Sequence, residues 1–553
     1  MNSLFFSYVG CFSCCRTDFL FLIACPELTL YCATMESPRR PIDSILRVSG
    51  TDIVDGHGQQ VILKGAGVGG HLNMENFVTG FSGHEFEHRK AMLSVLGPQK
   101  YEFFFDRFLD YFFTDSDAKF FASLGLNCIR IPFNYRHFED DLNPGVYKQS
   151  GFDLLDRIVS HCAKNNLYVI LDLHTAPGGQ NQDWHSDTGL NRALFWEFKE
   201  FQDRMINLWT AIARHYRGNP FVAGYNPLNE PADPDHLNLV AFYSRVEKAI
   251  RAVDPEHILF IDGNTYAMDF SQFPDTPLPN AVYACHDYSF MGFPIGDAYL
   301  GTEAQKRKLR TSFERKVTFM RERGIPIWNG EFGPVYASAA DAPGTLPEEK
   351  EASATVTNSQ RFALLKEQLA IYAETGVSWS IWLYKDIGYQ GMTYISPTSP
   401  YMQLIGPFLA KKKVLGLDFW GASDKSGVAH VYEPFVKALK EMVPEQFRQT
   451  RYPPQWSFER HVERCVRECL MSEYLGLEMA ELFRGKTMEE LDELAESFRF
   501  ENCVLREELN EILKLDAEAS LVLQNMNMDN CLRTGQKGEQ GEQQQHVEHI
   551  ARL

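Results

Sequence analysis

The chain has 553 residues and a formal net charge of -19, from 73 acidic against 54 basic residues. Hydrophobic residues make up 44% and charged residues 23%, a globular composition that excludes wholesale disorder and collagen-like repeats. The acidic balance argues against a nucleic-acid partner, which needs clustered Lys and Arg. No apolar run approaches the roughly 20 residues that a membrane-spanning helix requires.

Five of the twelve cysteines (Cys11, Cys14, Cys15, Cys25 and Cys32) lie in the first 32 residues. Cys11 and Cys14 form a C-x-x-C, but no second pair or nearby His completes a site, so no metal is expected. Phe19 to Ala24 is a short apolar stretch. It lacks the basic residues and the small-x-small cleavage pattern of a signal peptide. A second methionine, Met35, opens the polar segment MESPRRPID. Residues 1–40 therefore read as an extension without packed structure. The expected location is cytoplasmic, with secretion the alternative if residues 1–34 act as a signal.

Next come Leu46–Val48 and Asp52–Val54, which read as a small hairpin placed to cover the floor of a barrel. Eight apolar runs then predict strands: Val61–Gly65, Cys128–Pro132, Tyr168–His174, Val222–Asn229, Ile258–Asp262, Val282–His286, Ile327–Glu331 and Val377–Trp382. Several are nearly continuous in Val, Ile, Leu and aromatics, as parallel strands buried on both faces must be. Cys128 and Cys285 lie inside such runs and read as small core residues. Amphipathic patterns separate the runs, at Phe152–Asn166, Phe195–Tyr216, His236–Val253, Ala304–Arg323 and Ser359–Thr375. In His236–Val253 the apolar residues Val240, Tyr243, Val246, Ile250 and Val253 recur at three- and four-residue spacing. Alternation of this kind predicts a closed (β/α)₈ barrel. Gly65-x-Gly67-x-Gly69-Gly70 departs from the G-x-G-x-x-G of a nucleotide-binding turn, so close backbone packing at the barrel mouth is expected there instead.

Three stretches interrupt the repeat and read as long loops on the catalytic face. They are His71–Asp115, which carries an aromatic helix over Gln99–Phe113, then Ser338–Asn358 and Gly388–Val431. After Pro444 the pattern is helical only. Thr487-x-x-Glu490 is a capping box, and Leu505, Leu509, Ile512 and Leu513 form a stripe suited to packing on a neighbour. The expected organisation is a barrel over 41–444, a helical extension over 445–533, and a disordered polar tail over 534–553 containing GQKGEQGEQQQ.

The residues that end each run carry the chemistry. Arg130 lies in the second run, His174 closes the third, and Asn229-Glu230-Pro231 follows the fourth. His286-Asp287-Tyr288 follows the sixth, Gly330-Glu331-Phe332-Gly333 the seventh, and Trp382 closes the eighth. In a barrel these ends converge on one face. Two glutamates held there suit retaining glycoside hydrolysis, in which one carboxyl donates a proton and the other attacks the anomeric carbon. Arg130 and Tyr288 can keep a carboxylate ionised and aimed, which marks their neighbour as the nucleophile. Asn229 can bond a sugar 2-OH, and Trp382 offers an apolar surface to a pyranose ring.

The set Arg130, His174, Asn229-Glu230-Pro231, His286-x-Tyr288, Glu331 and Trp382, in that order, resembles glycoside hydrolase family 5, in the clan with its acid on strand 4 and its nucleophile on strand 7. The resemblance covers about Leu46 to Lys440. It implies Glu230 as acid/base, Glu331 as nucleophile, a β-glycoside or β-glucan substrate, and no cofactor. The segment His174-Thr175-Ala176-Pro177-Gly178-Gly179-Gln180-Asn181 is similar to that of the exo-β-glucanase-like branch. The chain then departs with Asp183-Trp184-His185-Ser186-Asp187, which is expected to line the pocket. The reading is an exo-acting β-glucosidase or β-glucanase. The enzymatic alternatives are an endo-β-glycanase of cellulase or mannanase type and a β-mannosidase. A non-catalytic carbohydrate-binding barrel is the alternative from a different class.

Overall fold

The computed structural model describes residues 40–340, 342–417, 426–448 and 457–519. The cysteines of the N-terminal extension, the Phe19–Ala24 stretch and the polar tail lie outside the described residues. Strands β1 (Arg47–Ser49) and β2 (Asp52–Val54) form the expected antiparallel hairpin. The eight apolar runs become β3 (Lys64–Gly67), β4 (Cys128–Asn134), β5 (Tyr168–Thr175), β6 (Val222–Asn226), β7 (Ile258–Asp262), β8 (Ala281–His286), β9 (Ile327–Glu331) and β10 (Ser378–Ile381). All pair in parallel, in the order β10-β3-β4-β5-β6-β7-β8-β9, and close a (β/α)₈ barrel.

The first strand begins at Lys64 rather than Val61. The cause is competition for the backbone: Val61 donates to the Ile53 carbonyl at 2.8 Å, so these residues belong to the floor. There Leu46, Ile53 and Leu63 pack with Cys128, Tyr168, Ile258, Phe260 and Trp328, sealing the end opposite the strand C-termini. Helices cover the outside. Gln149–Lys164 buries Phe152, Leu155, Ile158, Val159 and Cys162, the stripe that its spacing requires. Asn238–Arg251 buries Leu239, Phe242, Tyr243, Val246 and Ile250, so its inward face is turned slightly from the Val240-to-Val253 stripe.

The three interruptions are more ordered than loops. The aromatic helix spans Glu85–Phe112, kinked where Gly97 adopts φ 71° ahead of Pro98. Most of Ser338–Asn358 joins the following helix, Pro347–Ala373. Proline at its start and the Glu349 carboxylate, which accepts from the Thr345 and Leu346 amides at 2.9 and 3.1 Å, extend the helix past the periodic stretch. Within Gly388–Val431 lie β12 (Thr393–Ile395) and a helix, Pro400–Val414.

Helices are the expectation for residues 445–533. The structure adds β13 (Cys503–Leu505), which pairs antiparallel with β12, itself parallel to β11 (Lys385–Asp386). A three-residue strand is too short to show alternation. This segment also caps the aromatic helix: Phe498 meets Phe108 with ring centroids 4.8 Å apart and Tyr401 at 4.7 Å, while Phe483 meets Phe104 at 5.4 Å. The Leu509, Ile512 and Leu513 side chains are buried. Beneath them the Lys385 ammonium, wholly buried, donates to Asp117 at 2.8 Å and to the carbonyls of Phe112 and Phe498 at 2.6 and 2.8 Å. The last helices and the first long insertion thus share one core. Phe498→Ala should lower the unfolding free energy by about 3–5 kcal/mol, the usual cost of deleting a buried phenyl ring. Urea denaturation measures it, and a loss under about 1 kcal/mol would contradict this packing.

Candidate active site

The strand ends on the open face surround a cavity of about 260 Å³, small against the roughly 300–1,000 Å³ of common ligand pockets. Of the sequence-selected residues, His174, Glu230, His286, Tyr288, Glu331 and Trp382 line it. Arg130 and Asn229 lie beneath, fully buried.

Arg130 is the hub. It rises from the middle of β4, where its register against β3 and β5 points it into the barrel. Its guanidinium binds one Glu331 oxygen through Nη1, and Nη2 reaches Asn229 Oδ1 at 2.5 Å and Asp172 Oδ2 at 3.0 Å. Tyr288 donates its hydroxyl to the other Glu331 oxygen at 2.9 Å. Both lone-pair faces of that carboxylate are therefore fixed. Asp172 also takes His174 Nδ1 at 2.8 Å, and Asn229 Nδ2 lies 3.3 Å from His174 Nε2. Asn229 is thus engaged at both ends of its amide.

Glu230 is held differently. It adopts φ 46°, a left-handed backbone that is costly outside glycine. Two bonds fix that turn: the Glu230 amide donates to Asp262 at 2.9 Å, and Asn181 donates to the Glu230 carbonyl at 2.9 Å. The carboxyl faces His286 Nδ1 at 2.6 Å and His185 Nε2 at 3.4 Å. Among the described residues, no guanidinium pairs with it.

The two carboxyls consequently titrate apart. Burial pushes Glu230 up to about 8, helped by the negative charge of Glu331. Burial alone would raise Glu331 too, but the positive charges of His286 and Arg130 outweigh it and hold the group down to about 2. Arg130 is the permanent part of that field, because burial lowers the pKa of His286 itself. One oxygen of each carboxyl and a ring nitrogen of His286 lie within 4.8 Å of one another. Among the described residues this trio is also the group that could converge on a cation. Arg130 and Tyr288 already occupy both Glu331 oxygens.

Trp382 lines the wall with one face stacked on His174, centroids 5.3 Å apart and planes 2° from parallel. The glycine-rich turn makes room for it. A Cβ at Gly67 or Gly69 would fall 2.8 or 2.6 Å from the indole, which explains Gly65-x-Gly67-x-Gly69-Gly70 as close packing at the mouth. The divergent segment enters as expected: Asp183, Trp184 and His185 all line the cavity.

Several wall residues carried no sequence signal. Glu75, within the first insertion, accepts from Trp184 Nε1 at 3.0 Å, and burial raises its carboxyl well above the ordinary range. Asp172 supports the hub from a strand interior, where an acidic residue has no period to announce it, while Asp262 closes β7 and binds the Glu230 amide and Asn226. Arg460 and Arg464 come from the C-terminal helix Phe458–Arg464, which the barrel pattern does not include. Arg460 lines the cavity. Arg464 is fully buried and grips Asp183 with both terminal nitrogens, Glu468 with Nε at 2.6 Å, and the Trp184 ring at 4.7 Å. A helix 281 residues beyond Asp183 in the chain thus fixes one wall of the pocket.

A fold of this kind with a guanidinium-held carboxylate opposite a buried, protonated one defines an O-glycoside hydrolase acting on β-linkages with retention. The family model for cellulase, glycosyl hydrolase family 5, matches residues 99–388. A beta-xylosidase of Phanerodontia chrysosporium is 55% identical over 482 residues, covering 87% of this chain and 99% of that protein. Endoglucanase C of Acetivibrio thermocellus is 24% identical over 353 residues, covering 57% of this chain and 95% of that protein. Among solved structures, an endogalactoceramidase aligns with a TM-score of 0.46 at 16% identity, covering 62% of this chain and 75% of that one. The chain belongs to glycosyl hydrolase family 5.

The Arg464 contacts generate a test. Arg464→Lys keeps the charge but loses the planar fork that binds Asp183 through two nitrogens. With the wall loosened, KM for an aryl β-glycoside should rise about tenfold while kcat changes less, since a charge-assisted hydrogen bond is worth about 1.5–3 kcal/mol. Unchanged KM in steady-state assays would show that this helix does not set the wall.

Proposed function

We propose that this chain is an exo-acting retaining β-glycosidase that removes single β-xylosyl or β-glucosyl residues, with Glu331 as nucleophile and Glu230 as acid/base. The observation that carries the reading is the carboxyl pair, with oxygens within 4.8 Å and pKa values driven in opposite directions. That proximity suits a retaining pair, whose carboxyls sit roughly 5–5.5 Å apart, and leaves no room for an attacking water between them. The small walled cavity supports exo action, because an internal cleavage needs an open groove. The similarity to a beta-xylosidase supports xylosyl as the first sugar to test.

In the first step ionised Glu331 attacks the anomeric carbon, and protonated Glu230 donates to the departing oxygen. The leaving alcohol then diffuses away. Glu230, now ionised, takes a proton from water, whose oxygen displaces Glu331 and restores the β configuration. Arg130 and Tyr288 keep the nucleophile aimed and charged. The His286 ring, 2.6 Å from Glu230 and 3.6 Å from Glu331, sits where the proton and the charge change hands.

Glu331→Ala should reduce turnover of an aryl β-glycoside by several orders of magnitude. Azide should restore rate and yield the α-glycosyl azide by NMR. A mutant with near-normal turnover would remove the assignment. Glu230→Gln should slow substrates with poor leaving groups far more than activated aryl glycosides, and equal losses would show that Glu230 is not the proton donor.

The pH dependence comes from the same pair. The active form needs Glu230 protonated and Glu331 ionised, so kcat/KM should fall on the alkaline side near pH 8, with the acidic loss far below. The limbs belong to the pair and are macroscopic values. Glu331→Gln removes the neighbouring negative charge and should move the Glu230 titration down from about 8, read by NMR of the folded mutant. An unmoved titration would sink the coupling.

A further inference from the structure

The closed strand order splits the rim of the cavity into two arcs between the catalytic carboxyls. Glu230 follows β6 and Glu331 ends β9, so β7 and β8 form a short arc while β10, β3, β4 and β5 form a long one. The long arc carries what a sugar requires: Glu75, His174, Trp184 and the Trp382 indole. The short arc carries Tyr266 and Met268 after β7, then Phe290, Phe293, Pro294 and Ile295 after β8. Two of these apolar side chains stand in solvent at the mouth, Phe290 at 72% and Ile295 at 56% exposure. A single exposed apolar residue needs no explanation, but a cluster at the edge of a pocket marks a binding surface.

Three polar groups bordering this arc are engaged within the protein. The Lys316 ammonium is held by Asp287 at 2.7 Å and by the His286 carbonyl at 3.0 Å. Tyr288 donates to Glu331 at 2.9 Å, and Tyr266 to Gln182 at 3.4 Å. Arg460 also borders the arc, its charge opposed by burial and by Arg464 and favoured by Asp183 and Tyr266. A second sugar in this place would exchange water for Phe, Ile, Pro and Met at most of its hydroxyls, and buried hydroxyls without partners are costly.

Resting on the retaining reading above, we propose that the short arc is the aglycone site and that it takes an apolar alcohol, alkyl or aryl, rather than a second sugar. The substrate class is then the β-glycoside of a hydrophobic alcohol. The sugar lies against the long arc with its anomeric carbon at Glu331, and the leaving group passes Glu230 onto Phe290 and Ile295. The bond from the anomeric carbon to the aglycone oxygen breaks, and the alcohol departs with the Glu230 proton. Water supplies the new sugar hydroxyl and returns the proton to Glu230. One glycoside and one water give one sugar and one alcohol.

Methyl, butyl and octyl β-D-xylosides and β-D-glucosides, assayed beside xylobiose and cellobiose, test this. Each methylene that reaches the arc should raise kcat/KM about fourfold, so octyl should exceed methyl at least tenfold once the arc is filled. The octyl glycoside should also exceed the disaccharide of the same sugar. In the double variant Phe290→Ser, Ile295→Ser the octyl-to-methyl ratio should collapse toward one. Both side chains are exposed, so the fold should tolerate the change, and circular dichroism checks it. An octyl-to-methyl ratio near one in the unaltered enzyme would overturn the proposal, as would a preferred disaccharide whose rate ignores the variant. If no glycoside were cleaved at all, the retaining reading would fail instead. Calorimetric binding of octyl against methyl β-thioglycosides would then decide the aglycone site by the same tenfold criterion.

Discussion

The buried guanidinium of Arg130 is the constraint around which the rest of the site is arranged. Apart from Asp183, which Arg464 holds below the ordinary range, five carboxyls, those of Glu75, Asp172, Glu230, Asp262 and Glu331, are withdrawn from water in the barrel mouth. Burial disfavours every carboxylate, and four of them respond by holding their protons more tightly: Glu75 well above its ordinary range, Asp172 to about 7, Glu230 to about 8 and Asp262 to about 6. Glu331 alone of the five is driven the other way, because the positive charges of His286 and Arg130 outweigh burial. Chemistry that requires one ionised and one protonated carboxyl is thereby set by where one cation sits. An isolated buried charge is costly, so Arg130 in turn depends on Asp172 and Asn229 to satisfy its other terminal nitrogen, Nη2.

A second layer of constraint comes from outside the barrel. Arg464 crosses from the C-terminal helix to Asp183, Trp184 lies under its guanidinium, and Trp184 donates to Glu75. These links run from the last helices through the divergent third loop to the first insertion. The aromatic contacts of Phe498 and Phe483 with the helix Glu85–Phe112 bind the same two regions a second time. The pocket wall and the C-terminal core are therefore mechanically joined. Loss of either partner leaves a buried charge or an open aromatic cavity, both expensive.

The two arcs of the rim show how one topology assigns two kinds of recognition. Strands β6 and β9 lead to the two carboxyls proposed to react, and the closed order leaves only β7 and β8 on one side between them. That side has a short perimeter and carries Phe290, Phe293, Pro294 and Ile295. The opposite side gathers ends from four strands and can satisfy a ring of hydroxyls.

The sequence by itself determined the barrel and the family, and it picked out the carboxyl pair and its supports as the candidates that the structure brings together. Strands buried on both faces must be continuous in apolar residues, and a catalytic residue placed at a strand end interrupts that continuity where it can be seen. His174, Asn229, Glu230, His286, Tyr288, Glu331 and Trp382 stand out for that reason, and Arg130 stands out as a charge inside an apolar run. Ordered insertions were less legible: the start of Pro347–Ala373 is capped by local hydrogen bonds rather than by periodicity, and β13 is too short to alternate. Tertiary structure alone decided the rest. Glu75, Arg460 and Arg464 have no neighbours in sequence that mark them, and their roles arise from contacts made across hundreds of residues. The exposed Phe290 and Ile295 read as ordinary loop residues until the closed strand order places them beside Glu230. Periodicity reports which face of an element is buried, whereas a pocket is made of side chains from different elements that only closure of the barrel brings together.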